Sequence, residues 1–287
     1  MSAPIVVGVD GSASAVRAAE WAAAQAARHR LPLKLVHAYS LPTHTYPEIV
    51  LTGHDVRAAF EDRGRQWLDE AVAAVRAADP GTALVVDRPA AALIAESHQA
   101  RMVVVGSRGL GGFTGLLVGS VAVAVSAHGH CPVVVVRDPF PSDGPVVVGV
   151  DGSPASEEAV GFAFEEASLR EAPLTAVIAW TDFLVDSPYG SRFTVDWAQV
   201  EEEQRRVLAE RLAGWQEKYP DVHVDRVVVR DRPVRALLDL SRNAQLLVVG
   251  SRGHGGFTGM LLGSTSQALV QHAQCPLAVV RPQHPKP

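Results

Sequence analysis

Lysine is nearly missing from this chain: Lys34, Lys218 and Lys286 are the only three in 287 residues. With a formal net charge of −5 and no clustered arginines, the sequence lacks the basic footprint of a nucleic-acid or anionic-membrane binder. Cysteine is equally scarce. Cys131 and Cys275 are too few for a disulfide framework, and each precedes a proline and an apolar run, as a small buried residue at a strand entrance does. No apolar run reaches the length of a membrane span, and a strand pattern begins at Ile5 without a basic leader. The expectation is a soluble, cytoplasmic protein with no membrane insertion. Hydrophobic residues make up 47% and charged residues 20%, which suits a large buried core, and the length exceeds what one core usually needs.

What is present is a repeat. Val103 to Ser120 reads VVVGSRGLGGFTGLLVGS, and Leu247 to Ser264 reads LVVGSRGHGGFTGMLLGS. Gly106, Gly109, Gly119 and Ser120 recur as Gly250, Gly253, Gly263 and Ser264, at an offset of 144, the difference between 250 and 106. Glycines let backbone N–H groups approach an anion, and a Gly-Ser pair opening a helix adds that helix's positive end. The pattern outlines a phosphate cradle. It is neither a Walker A loop, since no Lys-Ser or Lys-Thr follows the last glycine, nor GxGxxG. Tight turns with glycines for steric reasons are the competing explanation. His128, His130 and Cys131 have metal-ligand spacing, but the second copy has His272, Gln274 and Cys275, so no metal site is expected.

The remaining pattern alternates strands and helices. In the first copy strands are expected at Ile5 to Val9, Leu33 to Tyr39, Leu84 to Val86, Met102 to Gly106 and Val133 to Val136. Helices are expected at Ala13 to His29, Val56 to Ala78, Asp87 to about His98 and Ser120 to Ala127. Asp87 reads as a helix-start residue. Ser40 to Asp55 and Asp182 to Trp197 are lid-like loops. The second copy repeats the strands at Val146 to Val150, Leu174 to Trp180, Val222 to Val229, Leu246 to Gly250 and Leu277 to Val280. The expected division is a module at 1–137, a proline-rich linker at 138–145, a second module at 146–282 and a tail at 283–287. Such alternation predicts an α/β fold: two tandem doubly wound modules, each a five-stranded parallel sheet of order 3-2-1-4-5 with helices on both faces. Ligands then bind at the carboxyl ends of strands one and four, where Asp10 and Gly106 converge.

At these residues the chain resembles the universal stress protein family, in its tandem, ATP-binding form. The family's Gly-x2-Gly-x9-Gly-Ser motif is matched in both copies, and its strand-ending aspartate by Asp10 and Asp151, each followed by Gly-Ser. The resemblance implies ATP, with or without Mg, lying across each crevice, its adenine beside Asp10 and Ala38 in one module and Asp151 and Ala179 in the other. Gly8 and Gly149 would leave room for the ligand or for a close backbone. Where the family often has a glycine before the third helix, this chain has Asp87 and Asp231, and Asp182 is a candidate acceptor for a ribose hydroxyl. Ser107 and Ser251 lie inside the motif. Arg108 and Arg252 are candidate phosphate cations or solvated loop residues, and Ser120 and Ser264 are expected both to cap the helix and to touch phosphate.

The implied role is a nucleotide-responsive regulatory or signalling module in stress adaptation or growth control. A slow ATPase or nucleotidyl transferase is the enzymatic alternative. It is weakened because neither copy offers a phosphate lysine or a second carboxylate near Asp10. An interaction protein with a vestigial site is the third reading, opposed by intact motifs in both halves. The fifth strands, Val133 to Val136 and Leu277 to Val280, are apolar edges without blunting charge or proline. Single-module relatives pair through this strand, so pairing between the two modules is expected, and a further homodimer is compatible with the resemblance.

Overall fold

Apolar β-branched runs with no polar alternation make strands that need cover on both faces, and such runs here form strands of parallel sheets. The structure, a computed structural model, describes residues 2–41, 53–75, 79–110, 118–137, 141, 143–181, 196–253 and 261–282. Two units divide the chain, Met1–Asp138 and Pro139–Pro287.

The first unit runs β1 (Ile5–Gly8), α1 (Ala13–His29), β2 (Leu33–Tyr39), α2 (Gly53–Ala74), β3 (Gly81–Val86), α3 (Pro89–Glu96), β4 (Met102–Gly106), α4 (Ser120–His128) and β5 (Val133–Val136). Its strands are all parallel. β1 lies between β2 and β4, β3 flanks β2, and β5 flanks β4. The order is therefore β3-β2-β1-β4-β5, as the alternation predicts, with its reversal between β1 and β4.

The second unit repeats this as β6 (Val146–Gly149), α5 (Pro154–Arg170), β7 (Leu174–Trp180), α6 (Trp197–Lys218), β8 (Val224–Arg230), α7 (Pro233–Ser241), β9 (Leu246–Gly250), α8 (Ser264–His272) and β10 (Leu277–Val280). Its order is β8-β7-β6-β9-β10, again parallel throughout.

Each unit is built the same way locally. Ser12 starts α1 by accepting the N–H of Ala15 on its hydroxyl at 3.1 Å, and Ser153 starts α5 by accepting that of Ser156 at 3.2 Å. The buried face of α1 is almost all alanine, including Ala15, Ala18, Ala19, Ala22 and Ala26, which lets it lie close against β1 and β4. Alanine also carries the highest helix propensity, so the packing face and local preference agree. Burial pushes the Cys131 thiol up to about 12, which fits a packing cysteine and not a reactive one. No helix of the described residues is long and apolar enough to cross a membrane.

Several boundaries differ from the sequence expectation by one to three residues, among them β1 and β6, which end at Gly8 and Gly149, β8, which is Val224–Arg230, and α3, which is Pro89–Glu96. β3 begins at Gly81 rather than Leu84, because ladder pairing with Lys34 and Leu35 of β2 recruits Gly81 and Thr82. α2 begins at Gly53, so the last three residues of the expected lid-like loop at 40–55 are helical. It ends by Val75, whose N–H bonds back to Ala71, while 76–78 lie outside the described residues. Positions 42–52, 182–195 and half of the expected linker, 138–140 and 142, also lie outside them.

The turn after each first strand carries a glycine in the left-handed region, Gly11 at φ +81° and Gly152 at φ +76°. A Cβ at Gly11 would overlap the Trp67 indole, whereas at Gly152 it would lie 3.5 Å from the end of the flexible Arg211 side chain. Gly152→Ala should therefore cost only the conformational penalty, about 1–2 kcal/mol, and Gly11→Ala distinctly more. Thermal melting of the two variants checks the difference; equal losses would mean that Trp67 yields freely.

Candidate functional site

Beyond β1 the chain passes through Val9 to Asp10, whose carboxylate ties two distant segments together. One oxygen accepts the N–H of Ser12 at 3.0 Å, holding its own turn. The other accepts the N–H of Leu110, 100 residues away in the loop after β4, at 3.1 Å. Ser12 adds a second tie, its hydroxyl donating to the carbonyl of Arg108 at 3.3 Å, and the N–H of Arg108 reaches Ser14 Oγ at 3.4 Å. The loop returns at Gly119, whose N–H bonds the carbonyl of Ser107 at 2.8 Å. Beneath, His37 Nδ1 donates to the carbonyl of Val9 at 2.7 Å.

Among the described residues the second unit repeats part of the arrangement, with Ala155 where the first has Ser14. Asp151 accepts Ser153 N–H at 2.9 Å, Ser153 donates to the carbonyl of Arg252 at 3.2 Å, and Gly263 N–H bonds Ser251 O at 2.8 Å.

Each tie spans the mouth of a crevice, of about 400 Å³ in the first unit and about 450 Å³ in the second, within the range of small-molecule sites. Gly8, Asp10, Ala38, Gly106, Arg108, Gly109, Gly119 and Ser120 line the first. Gly149, Asp151, Ala179, Gly250, Arg252, Gly253, Gly263 and Ser264 line the second. Ser107 and Ser251 do not. Their side chains are buried behind the loop, and Ser251 Oγ has no hydrogen-bond partner among the described residues. Asp182 lies outside the described residues.

The capping role expected of Ser120 and Ser264 is not what the structure shows. Gly119 and Gly263 are the N-cap residues, without a side-chain cap hydrogen bond, and the serines are the first residues of α4 and α8. Both helices thus begin with N–H groups that no capping side chain satisfies, beside the crevice.

The glycines have different reasons. A Cβ at Gly106 would sit 2.7 Å from the backbone of Ser14, and one at Gly109 would overlap the Asp10 carboxylate, so protein packing alone demands both. At Gly8 the neighbour is Leu93 Cδ1 at 2.7 Å, which makes core packing its constraint. Gly119 is unlike these. Its Cβ would make only ordinary contacts, the nearest at 3.7 Å, and Gly263 behaves alike at 3.4 Å. Packing does not require these two glycines, and a methyl there would narrow a cradle at an uncapped helix start.

Sequence reading missed several lining groups, among them Val36, Pro89, Leu93 and the α4 residues Val121 and Ala122. The recurrence of Pro89 as Pro233 is a signal that was available. It also missed Arg281, just past β10, which donates through Nη2 to the carbonyl of Leu261 at 3.1 Å and so braces the returning loop. Burial, and secondarily the positive charge of Arg252, lowers its pKa. Arg137 holds the matching position in the first unit.

Comparison with known proteins agrees with this architecture. The sequence pattern of the universal stress protein family matches twice, over residues 1–137 and 144–281. A universal stress protein of Mycobacterium tuberculosis is 45% identical over 289 residues, spanning 96% of each chain, and another from that organism is 44% identical over the same length and share. Among solved structures, a universal stress protein from Archaeoglobus fulgidus superposes with a TM-score of 0.70 at 20% identity, covering 97% of this chain and 98% of that one, a likeness of fold. With both halves matched and close relatives aligned nearly end to end, this chain belongs to the universal stress protein family.

Proposed function

We propose that each module binds one ATP, with or without Mg²⁺, and that the chain acts as a nucleotide-responsive regulatory module in stress adaptation or growth control. One observation carries this reading: the first-strand carboxylate and the glycine loop meet over a crevice whose far side is an uncapped helix start. An anion belongs at such a start, where backbone N–H groups and the helix dipole both favour negative charge. The phosphates would lie there, against Gly119, Ser120 and Arg108 or their counterparts. The base would lie toward Val36 and Ala38, or Val177 and Ala179, between apolar walls. Each Asp10 oxygen retains a further acceptor site beside the backbone N–H it accepts, which suits a donor such as the adenine amino group.

A slow ATPase is the alternative. The described lining of neither crevice carries a lysine or a carboxylate besides Asp10 and Asp151. Phosphoryl transfer needs a group to orient the nucleophile, so binding accounts for these residues better than turnover.

The surroundings of the glycines decide which substitution tests the cradle. Gly109→Glu, the obvious cradle substitution, would collide with Asp10 before meeting any ligand. Gly119→Val and Gly263→Val instead fill the cradle while touching little protein. Calorimetric titration should give two ATP per wild-type chain, one in either single variant and none in the double variant, with melting temperatures little changed. Full binding by the double variant would remove phosphate from these helix starts.

The pairing of fifth strands between the modules is likewise our proposal, resting on the apolar, charge-free sequences of those strands. Val134→Pro removes a ladder donor, and small-angle scattering should then show an expanded particle that still binds ATP. An unchanged profile would reject the pairing.

A further inference from the structure

The two modules differ at matched positions, and beside one added carboxylate, Asp239 in place of Ala95, the differences add hydroxyls and cations to the second. At the offset of 144, Val121 and Ala122 in the first turn of α4 become Thr265 and Ser266 in α8. On the neighbouring segment, Ala91 of α3 becomes Arg235 of α7, and His98 becomes Arg242. Val121 and Ala122 of the first crevice are thus Thr265 and Ser266 of the second, and two cations stand beside it where the first module has Ala91 and His98.

Three of these replacements, Thr265, Arg235 and Arg242, line one cavity. Between α7 and α8 lies a groove of about 1030 Å³ that shares Pro233, Ser264 and Thr265 with the second crevice. Arg232, Arg235 and Arg242 line it, together with Asp231 and Asp239. Three arginines against two aspartates leave one positive charge in excess, whereas the matching first-module positions hold only Arg88 and Asp87. Asp231 accepts the backbone N–H of Arg232 at 2.7 Å and faces Arg235 Nε at 3.6 Å, and Asp239 faces Arg242 Nη2 at 3.5 Å. The Arg235 and Arg242 side chains are 75% and 62% exposed. Exposed pairs of that length hold their partners weakly, so an entering phosphate can recruit both guanidiniums, whose planar forks match its oxygens.

We propose that the second module carries an additional anion subsite in the groove between α7 and α8, continuous with its crevice, which receives the distal end of a condensed phosphate chain. The two modules of one chain then rank ligands differently. The first distinguishes poorly between short and long phosphate chains, and the second favours the longer. This inference rests on the nucleotide reading above for the location of the first phosphate.

The test compares the full chain carrying Gly119→Val, which leaves only the second module open, with the same chain carrying Arg235→Ala and Arg242→Ala in addition. AMP, ATP and inorganic tripolyphosphate are titrated into both by calorimetry. The preference for ATP over AMP should fall at least about tenfold with the arginines removed, while AMP affinity stays constant. Tripolyphosphate binding lost with the arginines while the ATP preference stays unchanged would keep the subsite but assign it to free condensed phosphate. An unchanged ATP preference together with unchanged tripolyphosphate binding would overturn the subsite and leave the nucleotide reading standing. If neither AMP nor ATP bound the Gly119→Val chain or the wild type, both readings would fall. Melting curves of the two chains should superimpose, since both arginines are exposed.

Discussion

The hydrogen bond from Leu110 N–H to the Asp10 carboxylate joins residues 100 apart in sequence, and the site depends on it. It fixes where the loop after β4 begins its excursion and, through Ser12 and Ser14, ties that loop to the start of α1. The parallel sheet makes the meeting possible, because the order β3-β2-β1-β4-β5 sets the ends of β1 and β4 side by side at the point of reversal. Gly109 is the steric counterpart of the bond. Only a residue without a Cβ can approach the carboxylate so closely, and Gly253 meets Asp151 in the same way.

Much of this is legible in the sequence. Uninterrupted runs such as Met102 to Val105 announce strands covered on both faces, and the repeated glycine spacing announces two copies of one module. Together with the strand order they brought Asp10 and Gly106 to one crevice. What escaped was whatever depends on side chains meeting across elements. Spacing alone treats Gly106, Gly109 and Gly119 as one motif, yet packing against Ser14 and Asp10 explains the first two and not the third. Ser120 looked like a cap because serine commonly caps, but the cap position falls on Gly119. Arg281 carries no motif of its own, and its role emerges only when β10 brings it beneath Leu261.

The duplication itself is informative where it is imperfect. Trp67 supports the Asp10 turn in the first unit, while Arg211, paired with Glu157 at 2.9 Å, occupies the matching place in the second. A rigid indole and an exposed ion pair hold their turns with different stiffness. At the crevice rims the same drift exchanges apolar groups for hydroxyls and cations. The two copies share the serine and glycine ties, Ser12 to Arg108 with Ser153 to Arg252 and Gly119 to Ser107 with Gly263 to Ser251, and diverge in the groups around the crevices.

We propose that the strand-ending aspartate, the glycine loop and the uncapped helix start form a nucleotide site in each module. The most direct measurement is a crystal structure of the chain grown with saturating ATP. The account predicts phosphate density at the N-termini of α4 and α8, and adenine density between Asp10 and Ala38 and between Asp151 and Ala179. Nucleotide bound elsewhere, or both crevices empty at saturation, would contradict it.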